Sequence, residues 1–372
     1  MPSRQEFRRR YRLLQELMAA EGLAALVLVS NASAEGRGFH RYLTNIHLTS
    51  RQALGVLLPG ADPIILAGNK SMQWRVRQES GIEDVRITTS SGAEVANILA
   101  SNGIRSGSVG IAGLETLLRV GDYLDISLTL PDVILFDVTE HVEAILVEKS
   151  PEELDLMRES GAAADAGLEA FTRALAVGVT QFAAVAEVER VMRARGSYDT
   201  LMLMSSGPTN PFLDTPSDRV FAAGDSVICS VEVEGRHGYW IERAGMYSFG
   251  EPSELQRRLY DSCLRSLQAA AAALVPGNTA AAVARAAEDI IAADGFQVGI
   301  WSGHGIGLNV IEGLAIGQDD HTVLREGMTV ALHPHVKAAD GLHSAYLSET
   351  FGVSANGGVS FSTVPHEFVV VG

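Results

Sequence analysis

The sequence is short of cysteine, of aromatic residues and of long apolar runs. Its two cysteines, Cys229 and Cys263, are too few for a disulfide framework and match no metal-binding spacing, so we predict reduced, partly buried thiols. The longest apolar runs, such as Ala269–Val275, fall far below the roughly 20 residues that a membrane-spanning helix needs. These shortages exclude a disulfide-stabilised scaffold and a membrane-spanning protein.

Positive charge is also scarce. Lysine and arginine together number 29 against 45 acidic residues, which gives a formal net charge of −16. Nucleic acid and anionic membranes both require basic patches, so we expect neither as a partner. Three arginines, Arg8 to Arg10, precede a mixed polar segment rather than an apolar one, so no signal peptide is predicted and we expect a cytoplasmic protein.

What the chain does contain is typical of a globular protein with two domains. It has 372 residues, of which 47% are hydrophobic and 20% are charged. Residues 1–149 read as an α/β domain, since a helix over Arg4–Ala20 is followed by strands at Ala25–Val29, Ala53–Leu58 and Pro63–Ala67. The Gly/Arg/aromatic stretch Gly36–Asn45 reads as a loop.

A second domain is predicted over residues 150–372. Ser150 is a good N-cap, Pro151 suits the first helical position and Glu153 completes a capping box, so a long helix should run to about Ala176. Further helices are predicted over Ser253–Leu274 and Thr279–Ala293, alternating with antiparallel hairpins. This alternation indicates an α+β domain.

The candidate site is centred on Trp301–Gly313, where His304 stands among three glycines that let the backbone approach a bound group closely. Acidic and histidine residues recur at strand-like positions on either side: Glu232, Glu242, His333 and Glu349. Such groups can act as general acids and bases, and they are also acceptable ligands for Zn²⁺, Fe²⁺ or Mn²⁺.

Simpler interpretations of single residues stay open. Glu232 alternates with valines and also fits a solvated strand face. His335 and His343 lie in a turn-rich stretch and read as solvent-exposed histidines. Tyr239, beside a hairpin, fits packing as well as substrate contact.

Several motifs, in order and at matching spacing over residues 151–365, resemble one family. They are Ser206-Gly207-Pro208, Asp218-Arg219, Gly224-Asp225, Gly238-Tyr239-Trp240, Gly250-Glu251-Pro252, Gly303-His304-Gly305-Ile306-Gly307, Glu326-Gly327-Met328 and Ser348-Glu349-Thr350. The second domain resembles the pita-bread fold of creatinase, aminopeptidase P, prolidase and methionine aminopeptidase. The whole chain resembles the two-domain branch that includes creatinase.

The resemblance implies a metal site and also an incomplete one. The metallopeptidases of the family use two Asp, one His and two Glu as ligands of two cations. Carried over, the His falls on His304, the second Asp on Glu242 and the last Glu on Glu349. The first Asp falls near Ser230–Val231, next to Glu232, and the first Glu falls on His333. A second family histidine falls on Ile311, and an upstream one around Phe212–Leu213. A dinuclear peptidase site is therefore not expected.

We accordingly predict a creatinase-like hydrolase of a C–N bond in a small nitrogenous compound, without a cofactor. The predicted catalytic residues are His304, His333, Glu242 and Glu349. The predicted substrate contacts are Glu232, Tyr239, Ile311, and Arg51 and His40 of the N-terminal domain. The resemblance implies a homodimer in which that domain covers the partner's cleft.

Two alternatives remain at this stage. The first is a lyase or hydrolase with one divalent metal held by Glu232, Glu242, His304, His333 and Glu349. The second is a non-catalytic pita-bread protein that binds a peptide or protein, which the small or apolar residues at Ile311 and Leu213 would suit.

Overall fold

The computed structural model describes all 372 residues as two compact units, Met1–Leu146 and Val147–Gly372. The sequence-based boundary, after residue 149, lies slightly later in the chain than this division after Leu146. No helix in the structure combines the length and apolar content needed to cross a membrane.

The first unit is an α/β domain. Its helices are α1 (Arg4–Ala20), α2 (Gly38–Thr44), α3 (Lys70–Glu79), α4 (Ser91–Ser101), α5 (Val120–Thr129) and α6 (Thr139–Leu146). Its strands are β1 (Ala25–Asn31), β2 (Gln52–Leu57), β3 (Ile64–Ala67), β4 (Val85–Ile87), β5 (Ser106–Ala112) and β6 (Asp132–Asp137). They form one mixed sheet in the order β4-β3-β2-β1-β5-β6, in which β1 is buried along nearly all of its length.

One prediction for this unit needs correction, because the stretch read as a loop contains helix α2. All seven residues from Gly38 to Thr44 are buried, and the helix ends at Asn45 in the left-handed conformation. Packing of both faces stabilises a helix whose glycine and β-branched ends give it little intrinsic propensity.

The second unit has an α+β architecture. Its helices are α7 (Pro151–Ala174), α8 (Gln181–Ala194), α9 (Glu254–Ala272) and α10 (Ala280–Ala293). Its strands are β7 (Asp199–Gly207), β8 (Ser226–Glu234), β9 (Trp240–Phe249), β10 (Gln297–Val298), β11 (Gly303–Gly305), β12 (Glu312–Ile316), β13 (Thr329–Leu332), β14 (His335–Lys337), β15 (Ser344–Tyr346), β16 (Ser348–Gly352), β17 (Val359–Ser360) and β18 (Phe368–Val371).

The main sheet of this unit carries the candidate site. Its strands run in the order β12-β11-β13-β16-β9-β8-β7, with β17 beside β16 and β18 beside β9. The capping box predicted at Ser150 and Glu153 is present at the start of α7. Helix α7 packs on the odd-numbered face of β9, where Phe171 meets Tyr247 edge to face at 5.1 Å between ring centroids. The even-numbered face is the one that holds Glu242.

Candidate functional site

Two rows of side chains cross one face of the main sheet. In antiparallel strands, residues directly opposite one another present their side chains on the same face. The first row is His304, Ala331, Thr350, Glu242 and Glu232, from β11 across to β8. The second row is Ser348, Ala244 and Ser230, and His333 follows β13 at the end of this row, beside Ser348.

The first row brings His304 and Glu242 into contact. Their strands are three spacings apart, about 14 Å between backbones, so the two side chains can meet only above small residues. Ala331 and Thr350 occupy the positions between them, and Nε2 of His304 lies 3.4 Å from Oε2 of Glu242. Thr350 also accepts a hydrogen bond from the Glu242 backbone N–H at 2.9 Å, which ties the two strands together.

The orientation of the His304 ring is fixed by the glycine motif. Nδ1 lies 2.9 Å from the carbonyl oxygen of Gly305, and since a carbonyl only accepts, Nδ1 carries the proton. When the ring is neutral, it therefore presents a lone pair at Nε2 toward the Glu242 carboxylate. This arrangement calls for a positive charge between the two groups, either a proton or a metal ion.

His333 completes a buried cluster with these two residues. Its ring centroid lies 5.2 Å from that of His304, and Trp301 contacts both rings at 5.3 and 5.7 Å. Nδ1 of His333 is buried without a hydrogen-bond partner. A buried nitrogen of this kind is suited to a ligand, since leaving it unsatisfied is costly.

The charges of the cluster differ among its members. Burial by itself would raise the pKa of Glu242, but the neighbouring His333 and His304 and the hydroxyl of Tyr346 outweigh it and hold that pKa well below its usual value. Burial lowers the pKa of His333, while the charge of Glu242 acts in the opposite direction. The cluster thus pairs one carboxylate with imidazole nitrogens that can donate a lone pair.

Three donors fit one cation. Single donor atoms of Glu242, His304 and His333 all lie within 4.8 Å of one another. Two histidines and one carboxylate form a ligand set used for single Zn²⁺ and Fe²⁺ ions. The orphaned His333 nitrogen and the lone pair of His304 both agree with such an ion.

The same residues do not fit two cations. A dinuclear hydrolytic centre needs carboxylates that bridge ions about 3.5–4 Å apart. The second row offers the hydroxyls of Ser230 and Ser348 instead, and both serines are fully buried on the site face. Of the two positions proposed for the first aspartate of the family, the site face therefore holds Ser230, while Val231 points to the other face.

The expectation for Glu349 needs correction. Its Cα pairs with that of Arg243, so both side chains lie on the face opposite the cluster. There Oε2 of Glu349 lies 2.6 Å from Nε2 of His366 and 3.3 Å from Nη1 of Arg243. Nε of Arg243 lies 3.5 Å from Oδ1 of Asp165. Ser348, one residue earlier, is the residue of this strand that faces the site.

The other expected residues are spread more widely. Glu232 lies directly opposite Glu242 and is buried on the site face, but it does not join the three-residue cluster. Tyr239 is buried and donates a hydrogen bond to Glu153 at 2.9 Å, which links it to the start of α7. Ile311 is exposed in the turn after β11.

Two expected residues belong to the first unit. The ring of His40 is only 3% exposed, so it cannot reach a neighbouring subunit as expected. Burial, followed by the charges of Arg41 and Arg75, lowers its pKa to about 3. Arg51 is exposed and has a φ of 66°, a backbone conformation that is uncommon outside glycine.

Sequence reasoning assigned no site role to four residues near the cluster: Trp301, Tyr346, Ser348 and His335. Tyr346 at the end of β15 and Ser348 and Thr350 in β16 occupy alternate positions along the chain, and this alternation was the available signal. His335 was expected in solvent, but it is buried with neither ring nitrogen bonded, and burial lowers its pKa to about 4.

Comparisons with known proteins agree with this architecture. Residues 155–361 match the metallopeptidase family M24, and residues 10–145 match the creatinase/prolidase N-terminal domain. An uncharacterized peptidase of Bacillus subtilis (strain 168), YqhT, is 24% identical over 96% of this chain and 99% of its own length. The probable dipeptidase PepE of Mycobacterium tuberculosis (strain ATCC 25618 / H37Rv) is 30% identical over 63% of each chain.

Solved structures share the fold over the whole chain. The X-Pro aminopeptidase from Thermotoga maritima MSB8 has a TM-score of 0.85 at 19% identity and covers 97% of this chain and 99% of its own. The dipeptidase PepE from Mycobacterium ulcerans has a TM-score of 0.82 at 25% identity, over 100% and 99% of the two chains.

These matches support a hydrolase, since the relatives carry the names of peptidases. They do not support the expectation that the chain departs from a standard metallopeptidase, which rests on the substituted residues alone. With a creatinase-type N-terminal domain followed by a pita-bread domain, the chain belongs to the metallopeptidase family M24.

Proposed function

We propose that this chain hydrolyses an amide-type C–N bond at a site that holds a single divalent cation. The observation that carries the proposal is the convergence of Glu242, His304 and His333, whose donor atoms lie within 4.8 Å. A cation bound there would act as a Lewis acid toward the carbonyl of the scissile bond. The sequence alone favours catalysis without a metal, whereas the geometry of these three residues favours catalysis with one bound cation.

Residues of the chain itself have separate roles in this proposal. The Gly305 carbonyl fixes the tautomer of His304, and the Tyr346 hydroxyl holds Oε1 of Glu242 at 2.8 Å. Trp301 packs against both imidazoles and would help to hold them in place.

Glu232 is the proposed contact for a cationic group of the substrate. It is a buried carboxylate one strand away from Glu242 on the same face, so the two acids together favour a positive charge between or above them. An amino group beside the scissile bond would satisfy this preference. A dipeptide or small amide with a free amino group is therefore the first substrate class to test, and the dipeptidase names of relatives agree with it.

Catalysis without metal is the second candidate, and one observation favours it. The 3.4 Å approach of His304 Nε2 to the Glu242 carboxylate would also suit a protonated imidazole. In that form His304 would act as a general acid at Nε2, with Glu242 stabilising its charge. This is the creatinase-like mechanism that the sequence predicts.

A homodimer remains part of the proposal. Arg51, exposed in the first unit, is the residue proposed to reach the partner's substrate, and light scattering of the purified protein tests the oligomeric state.

The deciding experiment is metal content per chain by plasma mass spectrometry, on untagged protein purified without chelator and then incubated with Zn²⁺, Mn²⁺ or Fe²⁺. One ion per chain is expected, together with turnover of a dipeptide that chelator removes and one added ion restores. Two ions per chain would overturn the one-cation proposal. Turnover that persists in metal-stripped protein would favour the acid–base candidate instead.

A further inference from the structure

The side chain of Tyr346 contacts two of the three residues of the cluster. It ends β15, is 6% exposed, and its hydroxyl donates to Oε1 of Glu242 at 2.8 Å. Its ring stacks on that of His333, with 5.9 Å between centroids and an interplanar angle of 20°. One side chain therefore constrains both the carboxylate and one imidazole of the candidate site.

The hydroxyl of Tyr346 lies over the second row of side chains. Besides Glu242 it faces the carboxylate of Glu232 and the hydroxyl of Ser230. Ser348, in the same row, keeps a buried hydroxyl without a hydrogen-bond partner.

A second cation next to Glu242 would need anionic oxygens from this row. The row presents two serine hydroxyls and the methyl group of Ala244, and the phenol oxygen stands among them. Because the phenol donates a hydrogen bond to Glu242, it substitutes for a positive charge at that carboxylate oxygen. The other oxygen, Oε2, is the one that faces His304.

We propose that Tyr346 is the positioning residue that makes this a one-cation site. Its hydroxyl holds Oε1 of Glu242 so that Oε2 points toward His304, and it takes the place beside Ser230 that a second cation would need. This inference rests on the proposed function, since it presupposes that one cation binds. Outer contacts of this kind change metal affinity by about 10- to 100-fold when they are removed.

The first test compares Zn²⁺ affinity among three proteins, by competition with a chromophoric chelator on metal-stripped protein. Wild type is expected to bind one ion per chain, and Tyr346→Phe one ion with a Kd about 10- to 100-fold higher. The matched control is Tyr260→Phe, which removes a buried tyrosine hydroxyl without a partner from the same domain and should keep the wild-type Kd. A Tyr346→Phe Kd within twofold of wild type would overturn the inference.

The second test concerns stoichiometry. The variant Ser230→Asp/Ser348→Glu places carboxylates in the second row, with Tyr346 either retained or replaced by Ala. Two Zn²⁺ ions per chain are expected only in the triple variant, and thermal unfolding with and without Zn²⁺ checks that each variant is folded. Two ions with Tyr346 retained, or one ion in the triple variant, would overturn the inference.

Failure of the proposed function gives a different result. In that case wild type itself would bind no Zn²⁺ in the competition assay, whereas failure of the Tyr346 inference alone leaves one ion on wild type.

Discussion

Ser348 and Glu349 are adjacent in β16 and lie on opposite faces of the main sheet. Ser348 pairs with Ala244 on the face that holds the cluster, and Glu349 pairs with Arg243 on the face covered by α7. A shift of one residue in a strand exchanges every side chain between the two faces. The sequence-based prediction assigned the last family ligand to Glu349. The register shows that Ser348 occupies the site-facing position, so the site has no carboxylate there.

Replacing Glu349 should affect stability but not metal binding. We expect Glu349→Gln to lower the free energy of unfolding by about 3 kcal/mol, because Arg243 would keep only Asp165 as a buried counter-ion. Urea unfolding of metal-stripped protein measures the loss, and Zn²⁺ competition should show an unchanged Kd.

The matched variant is Glu242→Gln, which changes the same atom on the opposite face of the neighbouring strand. It should weaken Zn²⁺ binding by far more than tenfold, since the donor oxygen is replaced by an amide. If Glu349→Gln instead weakened Zn²⁺ binding as strongly, the assignment of faces would be refuted.

Removing the His304 ring should abolish turnover without unfolding the protein. We expect His304→Ala to lose at least about 10²-fold in kcat, the lower range for a general acid–base group or a metal ligand. His343→Ala is the control, because His343 is partly exposed and pairs with Asp340. If His304→Ala hydrolysed a dipeptide at the wild-type rate, this cluster would be excluded as the active site.

Acid should destabilise the first domain through His40. Its folded pKa of about 3 lies below the ordinary value of 6.5, so between these values the unfolded chain binds a proton that the folded chain does not. Stability therefore falls as pH decreases from 6.5 toward 3, by up to roughly 1.4 kcal/mol per pH unit.

The variant His40→Leu removes this dependence, and the buried Nε2 that it deletes has no hydrogen-bond partner. Urea unfolding at pH 7 and pH 5 should show a smaller acid loss in the variant than in wild type. Equal losses in the two proteins would show that His40 does not titrate as described.

A buried ion pair should be needed to hold the turn that follows His304. Nζ of Lys149 contacts Oε2 of Glu312, and Oε1 of Glu312 accepts hydrogen bonds from the backbone N–H groups of Leu308 and Asn309. Lys149→Met would leave the carboxylate without its counter-ion, at a cost of about 3–5 kcal/mol in unfolding free energy.

The nearby pair of Arg325 and Glu148 is half exposed and serves as the comparison. Arg325→Met should cost no more than about 1 kcal/mol, as is usual for surface pairs. A similar loss in both variants would mean that burial does not distinguish the two pairs.

The sequence predicts local structure and architecture well where short-range signals act. Ser150 and Glu153 define the start of α7, and the motif around His304 indicates the fold of the second domain. Glu242, His304 and His333 were all singled out from their positions along the chain, and the structure brings these three together.

The sequence does not show which residues of a strand face the site, or which individual histidine rings are buried. The side chains of Glu232 and Glu349 are both acidic and strand-borne, and only the register shows that they lie on different faces. His335 lies in a segment that reads as turn-rich, yet it pairs with Tyr346 in the neighbouring strand and is buried. These contacts join residues far apart in the chain.

The Lys149–Glu312 pair also determines where the chain can be cut. Lys149 lies before the first helix of the second unit but supplies its buried ammonium to a carboxylate deep within that unit. A fragment that starts at residue 150, as the sequence-based boundary suggests, would leave Glu312 without its cation, whereas one that starts at Val147 retains it. Separate production of the second unit therefore depends on keeping the short segment from Val147 to Lys149.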